Sequence, residues 1–147
     1  MGKELILKEI ILNGRIISSR DHVEGEAIVT GDPIAFGGSI DLNEGIISEP
    51  GHKLRGESIA DKILVFPTGK GPTSDPYGFY FLKKNGKAPK AIINITANPT
   101  TLVGAIISDV PFVYQLDKNP LKIIQTGDHV KLDAREGTLT VIKGDRN

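Results

Sequence analysis

Cysteine is absent from this chain of 147 residues. It therefore holds no disulfide and supplies no thiolate to an iron–sulfur cluster. Tryptophan is missing as well, and the single methionine is residue 1. Net charge is also lacking: 18 basic and 18 acidic residues cancel, and no basic stripe forms. That balance argues against nucleic-acid binding driven by phosphate neutralisation. No apolar run approaches the roughly 20 residues of a membrane span, and Met1-Gly2-Lys3-Glu4 does not begin like a signal peptide. No membrane contact and a cytoplasmic location are expected. The histidines, His22, His52 and His129, are scattered without metal-ligand spacing and read as surface or loop residues.

What is present is organised around residues 63–82. Ile63-Leu64-Val65-Phe66 is a short apolar run of the kind buried in the middle of a sheet. Pro67, Gly69 and Gly71 stop it. Asp75 at N-cap and Pro76 at N1 then open a helix that runs to about Asn85 and ends at Gly86. A strand, a glycine-rich loop and a helix start in that order can bind an anion, because free N–H groups and the helix dipole converge, with Lys70 adding a charge. A plain strand–helix connection has the same outline. The loop is not a Walker A motif, since Gly-Lys-Ser/Thr is absent.

Upstream, Leu5–Leu12 is a first strand or an appended N-terminal segment. Arg15–Ser18 and Glu26–Thr30 read as short strands around an Arg20-Asp21-His22 turn. Residues 34–41 read as a strand broken by Gly37-Gly38, where a bend or a close approach is expected. Asn43-Glu44-Gly45 turns into Ile46–Ser48, and residues 49–58 form a loop. Downstream, Lys90–Ile95 is a second buried strand. Asn98 caps a helix from Pro99 to near Asp109 that carries Leu102, Val103, Ile106 and Ile107 on one side. Phe112–Tyr114 is a third strand, and alternation with helices implies parallel pairing. His129–Asp133 and Leu139–Ile142 form a hairpin with one wet face. The expected fold class is α/β, a central β-α-β-α-β unit wrapped by antiparallel strands. It is expected as one domain over residues 1–147, with residues 1–13 a possible extension and 143–147 a frayed tail.

Five stretches together resemble the aconitase X family swivel-domain small subunit: EGEAIVTGDPIAFGGSID, HKLRGESIADKILVFPTGKG, KKNGKAPKAII, VGAIISDVPFV and TGDHVKLDAREGTLTV. The resemblance runs from about Gly14 to Ile142. It implies the β/β/α swivelling-domain fold of aconitase. It also implies an aconitase X-type large subunit as partner, carrying the iron–sulfur cluster, with no cofactor in this chain. The implied activity is that of a hydro-lyase acting on a small anionic hydroxy acid such as mevalonate 5-phosphate. A serine of the loop would serve as the base, within a motif resembling Gly-Lys-Gly-Ser-Ser/Thr-x-x-Ser. Here the motif reads Gly69-Lys70-Gly71-Pro72-Thr73-Ser74-Asp75-Pro76, so prolines stand at both serine positions.

Three alternatives follow. Ser74 or Thr73 takes over the hydroxyl role, or the base comes from elsewhere for a different hydroxy acid, or the chain only shapes and closes the site. Ser74 also suits a local backbone hydrogen bond, and Asp75 suits capping before acid–base work. Lys70 is the expected substrate contact beside Gly69 and Gly71. Phe36, Gly37, Gly38 and Ser39 match the family's second loop and are expected to line the same cleft. A non-catalytic anionic-metabolite-binding or structural subunit is the competing function.

Overall fold

A computed structural model describes residues 8–143. Three short strands form its centre: β6 (Ile63–Val65), β7 (Ala91–Ile93) and β8 (Phe112–Tyr114), all parallel. Every residue of β6 and β7 is buried, because both faces of this sheet are covered. Ile63, Val65, Ala91, Ile93 and Val113 point to one core, while Leu64, Ile92 and Phe112 point to the other. Alternation along a strand thus feeds two apolar layers rather than one layer and solvent.

The full sheet has eight strands in the order β1-β10-β9-β3-β6-β7-β8-β2. Here β1 is Lys8–Asn13, β2 Arg15–Ile17, β3 His22–Val29, β9 His129–Asp133 and β10 Thr138–Lys143. β3 is parallel to β6 through Ala27–Val29 and antiparallel to β9 through His22–Glu26, so one long strand joins the two halves. The expected C-terminal hairpin is β9–β10. Residues 8–13 pair along their whole length with β10. β2 and β3 do not pair with each other, since β2 joins β8. The outer edges are therefore β1 and β2, separated in sequence by Gly14 alone. Residues 1–7 of the expected extension, and 144–147 of the expected frayed tail, lie outside the described residues.

Helices α1 (Asp75–Lys84) and α2 (Pro99–Ile107) lie together over one face of the sheet and pack Phe79, Leu82 and Ala105 into that core. A four-residue helix that was not expected, α3 (Pro120–Ile123), capped by Asn119, precedes β9. The other departures have physical reasons. Residues 34–41 are not a broken strand: Ile34 forms a single bridge, residues 36–38 turn, and only Ile40–Asp41 (β4) pairs, with Ile46–Ile47 (β5). The turn sinks Phe36 against Phe79, with ring centroids 3.9 Å apart. On α2 the apolar residues expected on one side of the helix lie largely outside. Thr101, Gly104 and Ala105 are buried, whereas Val103, Ile106 and Ile107 are 50, 45 and 65% exposed. A Cβ on Gly104 would lie 2.5 Å from Phe79 Cδ2, so small residues bring α2 close to α1.

Candidate functional site

The loop after β6 runs through the junction of both helix N-termini. Gly69 bridges Ile34, and Lys70 N–H donates to the Ile34 carbonyl at 2.9 Å. A Cβ on Gly69 would lie 1.9 Å from Thr101 Oγ1, and one on Gly71 would lie 2.4 Å from Asn98 Nδ2. Gly71 also needs its φ of +75° to turn the chain there. Asn98 caps α2, accepting from the N–H groups of Thr100 and Thr101. The N–H groups of Gly71, Thr73 and Ser74 meet no acceptor among the described residues. Lys70 N–H and Asp75 N–H, by contrast, are used within the chain, the latter by the Pro72 carbonyl at 3.0 Å.

Asp75 is at the first helical position rather than at N-cap, with Ser74 before it and Pro76 after. Its side chain is fully buried and leaves its own helix. Oδ1 accepts from Gly37 N–H at 3.0 Å, Oδ2 accepts from Thr101 Oγ1 at 2.9 Å, and Phe36 N–H points to the same carboxylate. Burial pushes its pKa up, and the three donors pull it partly back. Asp75 is thus a tether joining α1, α2 and the 36–39 turn, not a cap.

Ser74 and Thr73 have different fates. Ser74 Oγ donates to the Gly37 carbonyl at 2.9 Å, so its hydroxyl is a cross-loop strut and does not cap its own helix. Close contact explains Gly37, where a Cβ would lie 2.1 Å from Ser74 Oγ. Thr73 is exposed and its hydroxyl has no partner among the described residues. Lys70 Nζ lies 2.6 Å from Glu49 Oε1, which also accepts from Ser39 Oγ at 2.6 Å. These bonds, first from Lys70 and then from Ser39, hold the Glu49 carboxyl below the usual carboxylate range. Half-exposed Lys70 is therefore not a free ammonium. Phe36 is core and Gly38 is open to solvent, so of the second loop it is Gly37 and Ser39 that join the site.

Glu49 and Thr101 escaped the sequence reading. Neither sits in a local motif. The Gly69 and Gly71 pair and the Asn98-Pro99 cap each mark a helix start, but they lie far apart in sequence and nothing local shows that they meet. Among the described residues no group of three His, Cys, Asp or Glu is placed to hold a metal ion. Nor is any helix among the described residues long and apolar enough to cross a membrane. His52 is a loop residue but a buried one, with Nε2 3.1 Å from the Pro33 carbonyl. His22 and His129 both flank Glu24.

Comparison with solved structures gives the class first. The crystal structure of Thermococcus kodakaraensis aconitase X (holo-form) matches with TM-score 0.83 at 44% identity, covering 91% of this chain and 99% of that chain. A solution NMR structure matches at TM-score 0.81 and 42% identity. This is the fold of an aconitase X component. The family description "Aconitase X swivel domain" matches residues 11–141, and the chain belongs to that family. The phosphomevalonate dehydratase small subunit of Methanosarcina acetivorans is 49% identical over 134 residues, covering 91% of this chain and 92% of the relative. Its counterpart from Thermococcus kodakarensis is 48% identical over 132 residues, covering 90% and 96%.

Proposed function

We propose that this chain is the small subunit of an aconitase X-type hydro-lyase. It closes over the iron–sulfur centre of a large subunit to dehydrate a small hydroxy acid of the mevalonate 5-phosphate type. Residues 1–147 constitute one swivel domain, inert alone, at work in the cytoplasm. One observation carries the reading. A glycine loop with unused amides and an unpartnered hydroxyl lies at the N-termini of two helices, in a chain of the aconitase X swivel-domain family.

When bound in the partner, the cluster supplies the Lewis acid that holds the departing hydroxyl. The groups of this chain do the rest. The N–H groups of Gly71, Thr73 and Ser74, backed by the positive ends of α1 and α2, bind the anionic end of the substrate. Lys70 contributes once the substrate anion shares or displaces Glu49. Thr73 Oγ1 first gives up its hydroxyl proton to solvent. The resulting alkoxide, whose negative charge the helix dipoles make less costly, takes the proton from the carbon next to the carboxyl and is left as the neutral hydroxyl. Ser74 suits this less well. Deprotonating it would leave an alkoxide 2.9 Å from the Gly37 carbonyl oxygen, lone pair against lone pair.

The experiment is reconstitution. The purified chain is colourless and inactive, and adding the cognate large subunit produces dehydration of mevalonate 5-phosphate. Failure to associate, or equal activity of the large subunit alone, overturns the proposal. A closing subunit without its own base is the second reading, favoured by Pro72 at the expected serine position and by the Glu49–Lys70 pair. Full activity of Thr73→Ala would select it.

A further inference from the structure

Six large apolar side chains on one face of α1 and α2 remain uncovered: Tyr77, Tyr80 and Phe81, at 70, 53 and 41% exposure, and Val103, Ile106 and Ile107, at 50, 45 and 65%. Few other described large apolar residues are as open, and those, such as Ile11 on β1, lie singly. At about 200 Å² per aromatic side chain, the rings alone expose roughly 300 Å². With the aliphatic residues the patch reaches about 600 Å², the upper end for a monomer surface and close to the roughly 800 Å² that one partner gives to a stable interface.

The patch is a groove with a direction. One hollow of about 490 Å³ is lined by Thr73, Pro76, Tyr77, Tyr80, Phe81 and Ile107. A second, of about 420 Å³, shares Tyr80 and Ile107 and ends at Lys83, Lys84 and Asp109. The groove therefore runs from the free hydroxyl of the site loop to the last turn of α1. α2 carries no charged residue, and at the far end Lys83 and Lys84 stand against the single carboxylate of Asp109, which leaves that end net positive.

We infer that this groove is the seat of the large subunit: an apolar segment of that chain lies between α1 and α2, with acidic side chains at the Lys83–Lys84 end. The inference rests on the reading that a large subunit completes the site. The occupant follows from continuity. Whatever fills the groove also overhangs Thr73, and the chain that brings the reaction centre to Thr73 must overhang it too. A second copy of this chain seated there would instead shut the loop away from substrate. α2 puts its small residues inward and its isoleucines outward because its outer face is buried in the complex.

Ile107→Glu and Tyr80→Glu, made singly in the full chain, test this by titration against the cognate large subunit. Each is expected to melt like the wild type and to bind roughly 30-fold more weakly or worse, with kcat recovered when the small subunit is in excess. Ile11→Glu on β1 should bind as the wild type does. Wild-type affinity in both groove variants overturns the inference while leaving the dehydratase reading intact. So does light scattering that finds the wild-type chain alone dimeric and the variants monomeric, which would make a second copy the occupant. A wild-type chain that binds no large subunit overturns both.

Discussion

Replacing Asp75 separates two roles of a buried carboxylate, acceptor and charge. Asp75→Ala would orphan three donors: Gly37 N–H, Phe36 N–H and Thr101 Oγ1–H. A buried donor left without a partner costs about 1–3 kcal/mol, and Thr101 can turn to recover part of its loss. The expected destabilisation is about 3–5 kcal/mol, which for a domain of this size lowers Tm by roughly 10–15 °C. Asp75→Asn keeps an acceptor toward Gly37 and Phe36 and offers an amide N–H to Thr101 Oγ1. Its cost at pH 7 should stay below about 1.5 kcal/mol.

The pH dependence then isolates the charge. Burial raises the folded-state pKa of Asp75 above its unfolded value, so the native protein holds this proton more tightly than the unfolded chain. The stability owed to that proton is fully present below the unfolded carboxylate pKa, about 3.9, and is lost as pH rises through the folded pKa. Asparagine has no such proton. The stability difference between Asp75→Asn and wild type should therefore move in favour of Asp75→Asn as pH rises from 4, measured by urea denaturation at several pH values. An Asp75→Asn variant as damaged as Asp75→Ala at pH 7, or a difference that stays flat with pH, would refute the reasoning.

Two more outcomes bear on the loop. In the reconstituted enzyme, Thr73→Ala should lower kcat by about 10²–10⁴-fold, the usual worth of a positioned base. Ser74→Ala should mainly loosen the Gly37 turn, with a stability loss of about 1 kcal/mol in thermal melts; the opposite ranking would reassign the base. Glu49→Gln removes the charge that occupies Lys70 and should tighten inorganic phosphate binding by calorimetry, while changing stability by less than about 1 kcal/mol. Unchanged phosphate affinity would mean that Lys70 does not face the anion.

How much of this is legible in the sequence depends on whether the cause is local. The three parallel strands announce themselves as unbroken apolar runs, because both their faces are buried. The start of α2 follows from Asn98-Pro99 and the C-terminal hairpin from alternation, whereas α2 ends at Ile107, two residues short of the expected Asp109. The limits of α1 are readable to within a residue, but the role of Asp75 is not, since its carboxylate is claimed by Gly37 and Thr101, far away in sequence. Residues 34–41 look like a strand because they are apolar, yet their burial comes from Phe36 stacking on Phe79. The outward stripe of α2 misleads for a related reason. Periodicity reports that a face is apolar, not which chain will cover it. Lys70 carries its motif openly, whereas Glu49, which holds it, comes from a loop with no motif at all. The cap of α3 repeats the Asn-Pro signal of α2, but four residues are too few to show a period.

Residues 8–13 and 15–17 form the two rims of the sheet, with only Gly14 between them. β1 bonds to β10 and β2 to β8, each along one side only, so their outer sides are the borders along which a foreign strand would be added. A single glycine thus separates two potential sites of strand addition. Trimming the chain back to Arg15 would exchange the β1 rim for β10, bared along its whole length, whereas changes on the helical side would leave both rims as they are.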